Sequence, residues 1–205
     1  MKILDIVFLL LTGLVAIYML LFFFKKNKEE KCSCNLYFIL SFLVLLVAGV
    51  LLIIFGWGAL GNNFVAVVAG IIPFGLATGL IAKHYKKNEG WYGILMLIGL
   101  ILIAVTRYGG MVKLGKIVYP IFHAIAGLTI FFIPIFLRLK EKVNCYYLFI
   151  TVGGTLIGLG GIALAFLKAG KQLLFFSQSF VLMILAPLLF LTALSYAIGF
   201  VKGEK

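Results

Sequence analysis

One histidine lies inside a long apolar stretch, and basic and aromatic residues gather just before it. These neighbours of His123 are Arg107, Tyr108, Lys113, Lys116 and Tyr119. An imidazole can form a hydrogen bond or ligate a metal, and cationic side chains bind anionic groups. The sequence therefore predicts a site here for an anionic head group, the propionates of a haem or a quinone carbonyl. The alternative is a histidine that hydrogen-bonds to a neighbouring helix.

Two prolines, each followed by a threonine, form a second candidate site. Pro73 and Pro187 each remove a backbone donor inside an apolar stretch, which frees a carbonyl one turn earlier. Thr78 and Thr192 add hydroxyl groups close by. A polar group without a partner is costly in hydrocarbon, so it needs a neighbour, a water or a ligand. These four residues are a candidate ligand site, unless they are packing kinks whose hydroxyls bond to their own helices.

The three cysteines and the second histidine form a weaker set, Cys32, Cys34, Cys145 and His84. Three thiolates and one imidazole can hold zinc. In a reducing cytoplasm free thiols are expected, whereas an inverted topology would favour a disulfide. His84 and His123 differ in depth by roughly 20 Å at the helical rise of 1.5 Å per residue. They therefore cannot ligate the same haem iron.

Acidic residues are scarce away from the loops. Asp5 lies at the end of the first apolar run, and every glutamate lies in or beside a loop. Proton-coupled transporters usually carry the proton on an intramembrane acid or histidine. The pattern argues against carboxylate coupling, and with no paired carboxylates for hydrolysis it does not indicate an enzyme.

Seven apolar runs must position these residues. The runs fall at 4–24, 36–58, 64–82, 91–106, 117–137, 146–167 and 173–200. A membrane-spanning helix needs about 20 apolar residues, and basic residues beside the two shorter runs can reach the interface. With 64% hydrophobic residues, the sequence predicts an all-α integral membrane protein of seven transmembrane helices, with residues 1–205 as a single membrane domain.

The net charge of +12 is distributed unevenly between the two ends of the predicted helices. The first, third and fifth loops and the C-terminus hold twelve Lys and Arg residues, and the opposite side holds six. Because positive loops stay in the cytoplasm, we predict a multi-pass protein of the plasma or inner membrane with the N-terminus outside and the C-terminus cytoplasmic. The excess also suits anionic headgroups, and nucleic acid is not indicated as a partner.

The first three runs align with the last three. Matched pairs include Gly13 and Gly127, Asn35 and Asn144, Tyr37 and Tyr146, Pro73 and Pro187, and Thr78 and Thr192. The predicted parts are repeat unit one at 4–82, a linking helix at 91–106 and repeat unit two at 117–200. An even number of crossings separates the units, so the repeat is parallel. This three-plus-one-plus-three plan resembles that of the SWEET sugar transporters and their PQ-loop relatives. The resemblance is architectural: the chain has no Pro-Gln dipeptide, and no functional residue is carried over.

Three functions are compatible with these features. The first is a small transporter or permease, facilitative because coupling acids are missing, that binds its small-molecule substrate at the prolines and threonines. The second is a membrane subunit of a respiratory or other redox complex that binds haem or quinone near His123. The third is a structural or assembly subunit without a ligand. Glycines in the third and sixth runs, including Gly75, Gly79, Gly154 and Gly158, permit packing within the protein or a homo-oligomer interface.

Overall fold

The structure is a computed structural model that describes residues 1–168 and 177–203. Throughout these residues the chain is helical or in short connections, and none of it forms a strand. The helices are α1 (Ile3–Glu30), α2 (Ser33–Phe55), α3 (Asn63–His84), α4 (Glu89–Tyr108), α5 (Val112–Leu139), α6 (Leu148–Lys168) and α7 (Gln178–Lys202). All seven are long and apolar enough to cross a membrane. The prediction of seven such helices is confirmed, and the chain has the architecture of a multi-pass membrane protein.

The first helix runs further into its loop than the sequence predicts. Beyond the apolar run, Lys25 pairs with Glu29 at 4.0 Å and Lys26 with Glu30 at 3.7 Å, one turn apart. Pairs at this spacing stabilise an exposed helix by about 0.2–0.5 kcal/mol each. Lys31 then adopts a φ of 45°, and the helix ends there. The predicted boundary is wrong because apolarity marks the membrane core and not the end of helical backbone.

The fifth helix likewise begins before its apolar run. Gly110 has a φ of 66° and makes the turn from α4, and α5 starts at Val112. The sequence predicts a loop for Lys113 and Lys116. In the structure both lysines lie on the first turns of α5. The seventh predicted run corresponds to α7, and its first residues, 173–176, lie outside the described residues.

Residues Ala16–Ile130 form one compact unit that contains α2, α3 and α4 complete. Within it, α3 packs against both α2 and α4. Two glycines of α3 allow the approach to α2. A Cβ atom at Gly75 would overlap the hydroxyl of Ser41, and one at Gly79 would enter the ring of Phe38. The α2–α3 pair is therefore packed too closely for any side chain at these positions.

The second compact unit consists of Met1–Val15 and the described residues from Phe131 onward. In it α6 packs against α7, and glycines again permit the contact. A Cβ atom at Gly199 of α7 would lie 2.9 Å from a backbone nitrogen of α6. A Cβ atom at Gly153 of α6 would lie 2.8 Å from the ring of Tyr196. Here both helices contribute a glycine, whereas both glycines in the α2–α3 contact belong to α3.

Asn144 joins the segment before α6 to the end of α7. Its Oδ1 atom accepts a hydrogen bond of 2.9 Å from the backbone N–H of Tyr146. Its Nδ2 atom donates to the carbonyl of Lys202 at 2.6 Å, and its backbone N–H donates to the carbonyl of Gly203 at 3.2 Å. Two of these hydrogen bonds thus join the segment before α6 to the end of α7, and the third caps the turn that follows Asn144.

The compact units divide inside helices and not in loops. The two divisions fall between Val15 and Ala16 in α1 and between Ile130 and Phe131 in α5. These are the two helices that the sequence aligns with each other, and they are divided at nearly equivalent positions. The division does not follow the predicted repeat units, so the three-plus-one-plus-three plan stays a prediction.

Candidate functional site

In the α3 half of the proline–threonine site, the threonine hydroxyl already has a partner. The missing N–H of Pro73 leaves the carbonyl of Ala69 without its helical donor. Thr78 is buried, and its hydroxyl donates to the carbonyl of Phe74 at 2.7 Å. At this position the structure has the hydroxyl bonded to its own helix.

The α7 half differs at its threonine. Pro187 leaves the carbonyl of Met183 without its helical donor. Thr192 is buried, and its hydroxyl has no hydrogen-bond partner anywhere in the described part of the chain. Ser195 and Tyr196 are buried on the same face of α7, three and four residues further along. This face therefore presents a hydroxyl that is free to bond to a ligand or a water.

The two halves belong to different compact units. Pro73 and Thr78 lie in the unit Ala16–Ile130, and Pro187 and Thr192 lie in the other. That the four residues meet near the middle of the bilayer stays a prediction.

A groove of about 570 Å³ lies along α3, between α2 and α4. Gly75 and Thr78 of α3 form part of its floor, and Leu40, Ile94 and Leu97 are exposed residues of its sides. Apolar residues make up most of the lining, as is usual for ligand pockets in proteins. The groove brings one predicted site residue, Thr78, into a ligand-sized space.

Polar groups gather at one end of this groove. Lys86 donates a hydrogen bond of 2.7 Å to the hydroxyl of Ser33 and forms an ion pair with Glu89. Tyr37 also lines the groove. These four residues are not among the candidates predicted from the sequence, although the spacing of Lys86 and Glu89 is that of a helical ion pair. Their meeting with Ser33 depends on the packing of α2 beside α3 and α4, which no local pattern reveals.

The basic and aromatic cluster around His123 is partly assembled. The guanidinium of Arg107 lies 5.7 Å from the ring centroid of Tyr119, within the range of a cation–π contact. The rings of Tyr119 and His123 stack at 5.4 Å with 19° between their planes. The Nδ1 atom of His123 is buried and, within the described residues, has no hydrogen-bond partner. A histidine bonded to a neighbouring helix through this nitrogen is therefore not what the structure shows.

The remaining members of this cluster lie on the surface. Tyr108, Lys113 and Lys116 are exposed. The side-chain amide of Asn63 donates to the carbonyl of Arg107 at 3.2 Å, which joins the start of α3 to the end of α4. The structure thus supports a core of Arg107, Tyr119 and His123, with the two lysines on the first turns of α5 beside it.

Two of the three cysteines are joined to each other in the structure. Cys32 and Cys34 are joined in a disulfide, with their Cα atoms 5.1 Å apart, and Cys145 is an exposed free thiol. The expectation of free thiols is therefore wrong for Cys32 and Cys34. Metal ligation requires a thiolate, and the sulfurs of a disulfide are not thiolates. Among the residues that the structure describes, His84 and the other potential ligands do not form a group of three or more that could hold a metal ion. A zinc site at these residues stays a prediction.

Comparison with known proteins adds no further assignment. The chain matches no protein-family model, no curated protein and no solved structure.

Proposed function

We propose that this multi-pass membrane protein is a small facilitative transporter for uncharged polar solutes. The observation that carries the proposal is the buried hydroxyl of Thr192, which has no partner within the described residues. A buried polar atom left unpaired costs about 1–3 kcal/mol, so its retention favours a role in binding.

The polar groups of this site explain the expected class of substrate. A hydroxyl can donate and accept hydrogen bonds but carries no charge, so it suits a neutral solute such as a polyol or a sugar. The buried acid Asp5 lies at the start of α1, where it accepts a hydrogen bond of 2.8 Å from the backbone N–H of Lys2. Proton-coupled transporters usually carry the proton on an acid within the membrane, and Asp5 lies at a helix end. This position favours movement of the solute down its own gradient.

Solute entry into proteoliposomes tests the proposal. Stopped-flow light scattering would follow vesicles exposed to gradients of glycerol, ribitol and glucose. We expect at least one solute to enter faster than in protein-free vesicles. Thr192→Val should then slow entry about tenfold, because one hydrogen bond to the solute is lost.

Two matched variants sharpen this test. Thr78→Val should have a smaller effect, because its hydroxyl already bonds to Phe74. Thr155→Val should have none, since Thr155 is exposed and bonds to the carbonyl of Thr151 at 2.8 Å. Rates equal to those of protein-free vesicles for all three solutes would contradict the proposal, and equal rates for wild type and Thr192→Val would refute the site.

A second candidate function is a redox-complex subunit that binds quinone or haem beside His123. The stack of Arg107, Tyr119 and His123, with its unpartnered nitrogen, is the observation that favours it. A quinone carbonyl can bond to that nitrogen, and a haem would use it as a ligand beside the cationic guanidinium. An absorption spectrum and solvent extraction of the purified protein test this function. A Soret band or a stoichiometric quinone supports it, and the absence of both contradicts it.

A further inference from the structure

The groove along α3 opens sideways, toward the lipid. Leu40 of α2 is 44% exposed, and Ile94 and Leu97 of α4 are 60% and 56% exposed. All three line the groove and lie within helices that can span the membrane. Exposed apolar side chains at such positions contact acyl chains and not water. The groove is therefore a channel on the lipid-facing surface of the α2–α3–α4 layer.

The length of the groove matches one leaflet. Along α4 its lining residues extend from Glu89 to Leu100, which at the helical rise corresponds to about 16 Å. The hydrocarbon core of a bilayer is about 30 Å thick, so one leaflet contributes about half of that. A groove of this depth, with apolar walls, fits one extended acyl chain from the membrane surface to the bilayer middle.

The polar end of the groove lies where a lipid headgroup would be. Lys86 and Glu89 line this end, and the exposed side chain of Trp91 follows on α4, as is typical of the membrane interface. The segment 83–89 contains three lysines and one glutamate, so its formal charge is positive. Basic residues at such a level between transmembrane helices bind anionic headgroups.

From these three observations we propose that the α2–α3–α4 groove binds one acyl chain of an anionic phospholipid, with its phosphate at Lys86 and Lys87. The lipid is a resident ligand and not the transported solute, so the proposal does not depend on transport. Lys87 is exposed, and Lys86 can exchange part of its contact with Glu89 for the phosphate.

Photo-crosslinking tests this proposal directly. The full chain would be placed in phosphatidylcholine nanodiscs that contain phosphatidylglycerol with a photoreactive acyl chain, and the adducts mapped by mass spectrometry. A parallel sample would carry the same photoreactive chain on phosphatidylcholine. We expect adducts at Leu40, Ile94 and Leu97, with several-fold more from phosphatidylglycerol.

Variants separate the chain contact from the headgroup contact. A Cβ atom at Gly93 would lie 3.7 Å from the hydroxyl of Tyr37 and 3.8 Å from the Thr78 methyl, so Gly93→Leu extends into the groove. It should abolish most adducts, whereas Gly127→Leu, in open space on α5, should not. The smaller Gly93→Ala keeps ordinary contact distances and should reduce the adducts in part.

The headgroup contact has its own matched pair. Lys86→Gln should lower the preference for phosphatidylglycerol about fivefold, as expected for one interfacial lysine. Lys25→Gln is the control, since Lys25 also pairs with a glutamate on its own helix but lies on α1. Three results would overturn the proposal: adducts spread evenly over the lipid-facing helices, no headgroup preference in the wild type, or no adducts at Leu40, Ile94 and Leu97.

Discussion

In the α2–α3 pair, the hydroxyl of Thr78 donates a hydrogen bond to the carbonyl of Phe74. Both polar atoms of the Asn35 side chain are buried without a partner among the described residues. In the α6–α7 pair the situation is reversed. Asn144, which the sequence aligns with Asn35, is fully engaged, and Thr192, which aligns with Thr78, is not. The side chain without a partner is thus the asparagine in the α2–α3 pair and the threonine in the α6–α7 pair.

This difference separates residues that hold a helix pair together from residues whose polar atoms are available to a ligand. Asn35 lies in the first turn of α2, at a helix end, and its side chain is buried. Thr192 lies well inside α7, beyond Pro187, where water is scarce and an unpaired hydroxyl is more costly. The matched threonines therefore differ in their hydrogen bonding, and the proposed solute site uses the unpartnered one in α7.

The largest expected effect concerns the glycines that both pairs depend on. Gly199→Ala should lower the free energy of unfolding by about 1–3 kcal/mol, because the new methyl group meets the α6 backbone and overpacked contacts cost that much. Gly75→Ala should destabilise the α2–α3 pair, because its new methyl group would overlap the hydroxyl of Ser41. Gly158→Ala is the control, since a Cβ atom there meets nothing within 4 Å. Thermal unfolding in detergent measures all three, and equal midpoints would show that the close approach is not required.

The asparagine pair should give an effect of comparable size, with opposite signs at the two positions. Asn144→Leu removes two side-chain hydrogen bonds and should destabilise the protein by about 1–3 kcal/mol. Asn35→Leu removes an amide that has no partner in the described residues and should be neutral or stabilising. Equal destabilisation by both would mean that Asn35 holds a structural water, and the comparison would then fail at this position.

The threonine pair should show the smallest change in stability. Thr192→Val replaces an unpaired buried hydroxyl by a methyl group and should raise the free energy of unfolding by about 1 kcal/mol. Thr78→Val loses a hydrogen bond and should be neutral or slightly destabilising. A Thr192→Val protein that is more stable and also transports more slowly would show the exchange of stability for function expected of a binding site. A destabilised Thr192→Val protein would instead indicate a structural role.

The number of helices follows from the sequence because the length and apolarity of a spanning helix are set by the bilayer. Their ends do not, as the ion-paired extension of α1 to Glu30 shows: water and lipid both permit helical backbone. The contact of Tyr119 with His123 could be expected from their spacing of four residues on one helix. The groove could not, because its lining residues Tyr37, Lys86 and Gly93 lie on different elements and meet only through tertiary packing.

The disulfide between Cys32 and Cys34 has a practical consequence for the study of this chain. It leaves Cys145, exposed ahead of α6, as the one reactive thiol of the three cysteines. A single fluorophore or spin label can therefore be attached without removing any residue. A membrane-impermeant maleimide added to intact cells would then report directly which side of the membrane carries the α5–α6 connection.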